Sequence, residues 1–462
     1  MTTDWSTRLG ASPFHDSAAR HPLEPQVSPP VDMIIGIDFG TRFTKVAVSD
    51  GRQRQVWIDD SGTKLIPSIV YIASDGTVVS YPSPESPGSE KIEYLKMLLP
   101  ESSDRVFRSV RQNVYGRAIE DITRPLAAAF LSGVIRHVRA SIIRRRPDLK
   151  QRRVNWFVNV GVPVQHYDAN ADGFSEVAAV AFHWAQRNHM EYTIDDLSSS
   201  YAEIVGSLDL DRESSPAQVV PELTAAIHEL IRDPNREDAL YGLFDIGGGT
   251  LDGAIFHVNR SGIGRPLRIH AARVDQCGTI AVSRMMVAEI YSRLPHYIEG
   301  ALVGTHVIPT VRLPLTELLK FRDDKSVEVL VQNVVGGVIQ TTRTQLYGQM
   351  FSPRVDATAR DTPPLRVLIA GGGAPSAWYK SAIERTFLTR NLSQFGLTGI
   401  RSEIISKPAD YRGDDFPRFV IALGLADSVV ALADAQLPSQ FRNAEPPLER
   451  GSPPAPITKD MV

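Results

Sequence analysis

Two short stretches of this 462-residue chain place an acid at the end of an apolar run and follow it with a glycine turn: Asp38-Phe39-Gly40-Thr41 and Asp245-Ile246-Gly247-Gly248-Gly249-Thr250. A third apolar run ends in Gly371-Gly372-Gly373 without an acid. Glycine lets a turn bring its backbone N–H groups close to an anion, and successive N–H groups form a concavity suited to phosphate. A carboxylate facing the same phosphates is repelled by them. A Mg²⁺ ion between the two resolves the conflict, because it keeps several waters and takes one or two carboxylates together with phosphate oxygens. A single Asp-x-Gly turn is an ordinary tight hairpin. Two of them, about 200 residues apart and each set between apolar runs, point to the two sides of one metal–phosphate clamp.

Such turns need strands to carry them. "MIIGIDFG" and "RFTKVAVSD" predict one hairpin, and "YGLFDIGGGTLDGAIFHV" (241 to 258) a second, with Asp245 and Asp252 on either side of the turn. "KLIPSIVYIASDGTVVSY" predicts another hairpin turning at Asp75-Gly76. Helical periodicity covers 118 to 145, and a further helix is expected over "GFSEVAAVAFHWAQRN". "VNWFVNVGVP" and "RVLIAGGG" read as strands, 209 to 219 as a polar stretch before a short helix, and 418 to 435 as an apolar helix. Strands interleaved with helices predict an α/β fold. No repeat of 20–50 residues is visible.

Composition narrows the classes. The net charge is -3 and the sequence pI about 6.4, which favours neither nucleic acid nor an anionic membrane. Cys277 is the single cysteine, so intrachain disulfides and cysteine-rich metal sites are excluded and a reducing, cytoplasmic setting is expected. No apolar run approaches the ~18 residues a membrane helix needs, and the first 32 residues lack a signal-peptide core. The Walker pattern and H-E-x-x-H are absent.

"IIGIDFGTRFTKVAV", "YGLFDIGGGTLDGAIF" and "VLIAGGG" resemble the two phosphate motifs and the adenosine motif of the actin-like ATPase superfamily. Within it the chain is most similar to the DnaK-type seventy-kilodalton heat-shock chaperones, over about 33 to 434. The resemblance implies two lobes, each a mixed sheet with flanking helices, and a nucleotide cleft between them. It divides the chain into a disordered leader (1–32), lobe I (33–240, with an insert at about 60–120), lobe II (241–414, with a smaller subdomain at about 284–345), a closing helix (415–434) and a disordered Pro-rich tail (435–462).

Carried over position by position, it implies ATP or ADP with Mg²⁺ as ligands. Gly40, Thr41 and the backbone of Arg42 cradle the outer phosphates from one side, and Gly247, Gly248 and Gly249 from the other. Asp38, Asp245 and Asp252 hold waters around the metal, and Asp245 or Thr250 positions the attacking water. Lys96, in "EYLKMLL", stabilises charge on the γ-phosphate. Gly278, Glu317, Lys320 and the turn of Gly371, Gly372 and Gly373 hold the nucleoside. The implied activity is a slow ATPase that works as an ATP-gated, chaperone-like switch on a protein partner, without a peptide-binding domain in this sequence.

Several positions depart from the family. Pro375 stands where an arginine that stacks on the base is expected, with Trp378 nearby; Ser198-Ser199 appears in place of a Glu-Pro pair; Arg42 replaces a small hydroxyl residue; and Cys277-Gly278 replaces two glycines. The segment 136 to 154 carries eight Lys/Arg against one Asp, six of them between Arg144 and Arg153, and is either a solvated loop or a surface for an acidic partner. A filament-forming actin-like protein, a small-molecule kinase and a nucleotide-binding scaffold with negligible hydrolysis are the alternative readings.

Overall fold

Two large mixed sheets share one strand order. In the first, Ala217–Pro221, Val154–Val162, Val31–Asp38, Phe43–Ser49 and Arg54–Val56 lie side by side, with Ile66–Pro67 added to Phe43–Ser49. In the second, the order is Ile400–Ile404, Leu365–Ala370, Leu240–Ile246, Leu251–Val258 and Leu267–Asp275, with Ala435–Gln436 at the edge. The contacts across these five strands run parallel, parallel, antiparallel, antiparallel in both sheets. The topology is duplicated although no sequence repeat announces it. The computed structural model describes residues 29–82, 88–99, 113–114, 116–187, 192–207, 215–233, 237–258, 267–275, 277–280, 329, 331–338, 365–389, 399–408, 411–428 and 435–437.

Parallel neighbours require crossovers, which helices supply. Ile119–Arg145 precedes Val154–Val162 and carries Glu120 and Asp121 in its first turn and Arg144 and Arg145 in its last, matching the helix dipole. Ile122, Leu126, Phe130, Val134 and Val138 recur every fourth residue and are buried against the first sheet's core. By length and mean hydropathy this helix could cross a membrane, against the sequence expectation, because its charges leave an uncharged interior; 67% of its apolar window is buried inside the protein. It is the core helix of the first half. A four-stranded sheet of Tyr192–Thr193, Thr77–Val79, Ile69–Ile72 and Glu90–Glu93 stands beside it, and its hairpin turns at Asp75-Gly76 as expected.

Each half ends in a helix that follows its last parallel strand: Glu222–Ile231 and Phe416–Leu425. The two cross in direct contact, and a Cβ placed on Gly424 would lie 1.9 Å from the Ala225 carbonyl oxygen. Phe416–Leu425 also lies on the first sheet, where a Cβ on Gly36 would come within 2.4 Å of the Ala426 nitrogen. Leu223, Ile227 and Leu230 share a core with Tyr241, Leu243 and Phe256 of the second sheet. The crossing helices therefore join the halves through one apolar core.

Three expectations change. Ala217–Pro221 is a strand, paired with Val158–Val162, where a polar stretch was expected; five residues are too few to show a period. The helix after Pro163 begins at Val164, not at 173. The closing helix stops at Leu425, because the Asn159 amide donates to the carbonyl oxygens of Leu425 (2.7 Å) and Asp427 (2.8 Å) and satisfies its last turn from the neighbouring sheet.

Candidate functional site

The two aspartates occupy equivalent places. Asp38 is in register with Lys45 across the first hairpin, and Asp245 with Asp252 across the second, each partner seven residues on. The turns face each other: a Cβ on Gly249 would lie 2.7 Å from Thr41 Oγ1 and 2.8 Å from Met97 Sδ. A cavity opens between them. Asp38, Gly40, Thr41, Arg42 and Lys96 line it from the first half, and Asp245, Gly247, Gly248, Thr250 and Gly372 from the second. Gly247 N–H donates to the Thr250 carbonyl at 2.9 Å, which closes the second turn on itself.

Charge is concentrated at the floor. Lys45 Nζ donates to Asp38 Oδ2 at 2.5 Å, and Lys96 Nζ to Glu222 Oε1 at 2.6 Å. Lys96 is presented by the short helix Leu95–Leu98, entered through Tyr94 in the left-handed region at φ 64°. Glu222 is the first residue of its helix, so the positive helix end supports its charge. Burial favours the neutral amine of Lys96, but Glu222, Asp38 and Asp252 together hold its pKa above the ordinary value. Burial also pushes the Glu222 carboxyl up, opposed by Lys96. Asp245 is raised to about 7, first by burial and then by the charges of Asp38 and Glu222, against the pull of Lys45. Asp252 rises well above its usual range by burial and by Glu222.

Four carboxylates thus converge with two ammonium groups. Arg42 and Arg418 also line the cavity, and among the described residues Asp252 Oδ1 is buried with no hydrogen-bond partner. Among the described residues no three acidic, imidazole or thiol groups converge as direct metal ligands. The donor set therefore fits a hydrated ion held through its waters, not one gripped by side chains.

The remaining expected residues support the turns. Asp252 is 1% exposed and sits across the hairpin from Asp245. Gly278 packs against the second turn, its N–H donating to the Gly249 carbonyl at 3.2 Å. Gly371, at φ +87°, has no room for a Cβ, which would lie 2.4 Å from Asp245 Oδ1. Gly373 N–H donates to the Ile246 carbonyl at 2.9 Å. Glu317 and Lys320 lie outside the described residues. Trp378 packs against the second half's core, and Cys277 is a buried free thiol whose pKa burial drives far up.

Sequence reasoning missed three residues. Ser198 does not stand in for the expected glutamate: it lies within the helix Ile194–Ser207, its hydroxyl donating to the Ile194 carbonyl. Glu222 joins Asp38 and Asp245 in the cavity lining, carried there by the short strand Ala217–Pro221, which has no local signal. Lys45 enters the cavity because it sits opposite Asp38, which the seven-residue spacing could have revealed. Arg418, at the start of the closing helix, also lines the cavity and left no signal in the sequence. In the basic segment, Arg144 and Arg145 hold Asp60, Arg146 holds Asp50 and Asp148, and Arg152 donates to the Pro29 carbonyl.

No protein-family model matches the chain, and no curated protein is significantly similar to it.

Proposed function

We propose that this protein has the actin-like ATPase fold, binds Mg-ATP and Mg-ADP in the cavity between its halves, and uses slow hydrolysis to gate its association with a protein partner in the cytoplasm. The observation that carries this reading is the duplicated topology, which sets two Asp-Gly hairpins face to face over one acid-rich cavity. Polyphosphate suits the two opposed turns, since each offers backbone N–H groups, and Lys45 and Lys96 supply cationic charge between them. Asp38, Asp245 and Asp252 would hold the hydrated Mg²⁺, which neutralises phosphate charge when bound. Phosphoryl transfer asks mainly for positioning and electrostatics, and this cavity offers both.

In the reaction, Asp245 and Thr250 orient water toward the terminal phosphate from the second hairpin. Asp245, with its pKa of about 7, also accepts hydrogen bonds or a proton near neutral pH. Lys96 stabilises the developing charge once released from Glu222. The crossing helices, which touch both sheets, carry nucleotide occupancy to the outer surface where a partner docks. The surface around Arg144–Arg153 is the proposed place for an acidic partner, although several of its arginines already hold acids of the chain itself.

One observation favours a second reading. Lys96 is engaged by Glu222 in a buried pair at 2.6 Å, and a lysine kept there supports binding without turnover. Single-turnover hydrolysis of radiolabelled ATP, for wild type and Lys96→Ala, separates the two. The ATPase reading expects product from wild type and at least a tenfold slower reaction in the variant. Bound but intact ATP in wild type identifies a nucleotide-sensing scaffold instead.

A further inference from the structure

Arg418 is placed where the proposed nucleotide has still to be recognised. It is the third residue of the helix Phe416–Leu425 and lines the same cavity as Asp245 and Lys96. Its guanidinium rests over the third glycine turn: Nε, Nη2 and Cζ lie 3.5, 3.7 and 3.9 Å from where a Cβ on Gly372 would be. Gly371 N–H donates to the Pro417 carbonyl at 2.8 Å, so the turn and the start of the helix are held together.

The other cations of the cavity have occupations. Lys45 holds Asp38, Lys96 holds Glu222, and the Arg42 guanidinium lies 5.2 Å from the centre of the Phe43 ring. The Arg418 guanidinium makes no hydrogen bond or ion pair among the described residues. A free guanidinium in a ligand cavity has two uses: it donates to acceptor atoms, or it lies against a π face.

Topology decides which part of the ligand it meets. Asp245 has Asp252 on one flank and Ala370 on the other. The phosphate-cradling turn leads to the Asp252 flank, whereas Gly372 and Arg418 follow Ala370. A phosphate chain seated between the Gly40 and Gly247–Gly249 turns leaves the Arg418 side for the rest of the molecule. We propose that Arg418 contacts the nucleobase and ribose of a bound nucleotide and not its phosphates. This inference rests on the nucleotide reading above.

The test titrates Mg-ATP and Mg-tripolyphosphate calorimetrically into wild type, Arg418→Ala and Arg418→Lys. Arg418→Ala is expected to weaken Mg-ATP roughly tenfold and to leave Mg-tripolyphosphate within about twofold. Arg418→Lys, which keeps the charge but not the plane, is expected to recover only part of the loss. Equal ATP affinity in wild type and Arg418→Ala overturns the inference and leaves the nucleotide reading standing. A matched loss for both ligands also overturns it, by making Arg418 a phosphate contact. A wild type that binds neither ligand removes the nucleotide reading and this inference together.

Discussion

Asp245 and Asp252 sit directly opposite each other in one antiparallel hairpin, at the place where the equivalent hairpin sets Asp38 opposite Lys45. One half neutralises its acid internally; the other leaves two carboxyls facing each other. Like charges directly across a ladder are destabilising, and the molecule retains the pair at the cavity. On the reading proposed above, a cation bound there would offset that cost.

That cost has a pH signature. The Asp245 carboxyl, normally near 3.8, is raised to about 7 in the folded protein. Between those values the folded state binds a proton that the unfolded state has released. Stability without ligand is therefore greatest on the acid side of this window and is lost as pH rises through it. Asp245 keeps one side open to the cavity, so the contribution is on the order of 1–3 kcal/mol. Urea unfolding at pH 5.5 and pH 7.5 should show Asp245→Asn gaining stability relative to wild type at the higher pH. A variant that loses ground there contradicts the raised pKa.

The Lys96–Glu222 pair predicts a double-mutant pattern. Lys96→Met leaves a buried carboxylate without its partner and should cost about 3–5 kcal/mol at neutral pH, while Lys96→Met with Glu222→Leu should recover most of it. Thermal unfolding of the four proteins measures the coupling. Additive losses would mean that the two side chains do not interact.

The helix crossing predicts a steric contrast between two glycines. Gly424→Ala drives a Cβ onto the Ala225 carbonyl and should destabilise by about 1–3 kcal/mol or more. Gly206→Ala, in the helix Ile194–Ser207 with open space around it, should stabilise by about 0.5–1 kcal/mol. Denaturant midpoints of the two variants should therefore move in opposite directions.

Asn159→Leu removes the amide that caps the closing helix from the neighbouring sheet. Two carbonyls, that of Leu425 buried and that of Asp427 partly buried, lose their donor, and the expected cost is about 1–3 kcal/mol. Hydrogen exchange should localise the loss to Phe416–Leu425, with the Val154–Val162 strand largely protected. Uniform loosening of the whole chain would assign Asn159 a different role.

Much of this molecule was legible because its chemistry is local. Asp-x-Gly turns, alternating strands and the four-residue spacing of Ile122, Leu126, Phe130 and Val134 all lie within short windows, and they yielded the hairpins, the core helix and the glycine turns that line the cavity. What escaped depends on distant contacts. The duplicated strand order has no sequence counterpart, because the crossovers differ in length and content between the halves. Glu222 was missed because Ala217–Pro221 becomes a strand only by pairing with Val158–Val162. The closing helix was drawn too long because Asn159, more than 260 residues earlier, ends it. Arg418 reaches the cavity only through the helix crossing, which no local pattern encodes.

The central claim is that the two hairpins bind a magnesium nucleotide between them. A calorimetric titration of ATP into the wild-type protein at pH 7.5, with Mg²⁺ and again with EDTA, tests it most directly, alongside the same titration of Asp245→Ala. The account predicts saturable one-to-one binding with Mg²⁺, weakened at least tenfold by EDTA and by Asp245→Ala. No heat of binding from wild type under either condition would contradict it.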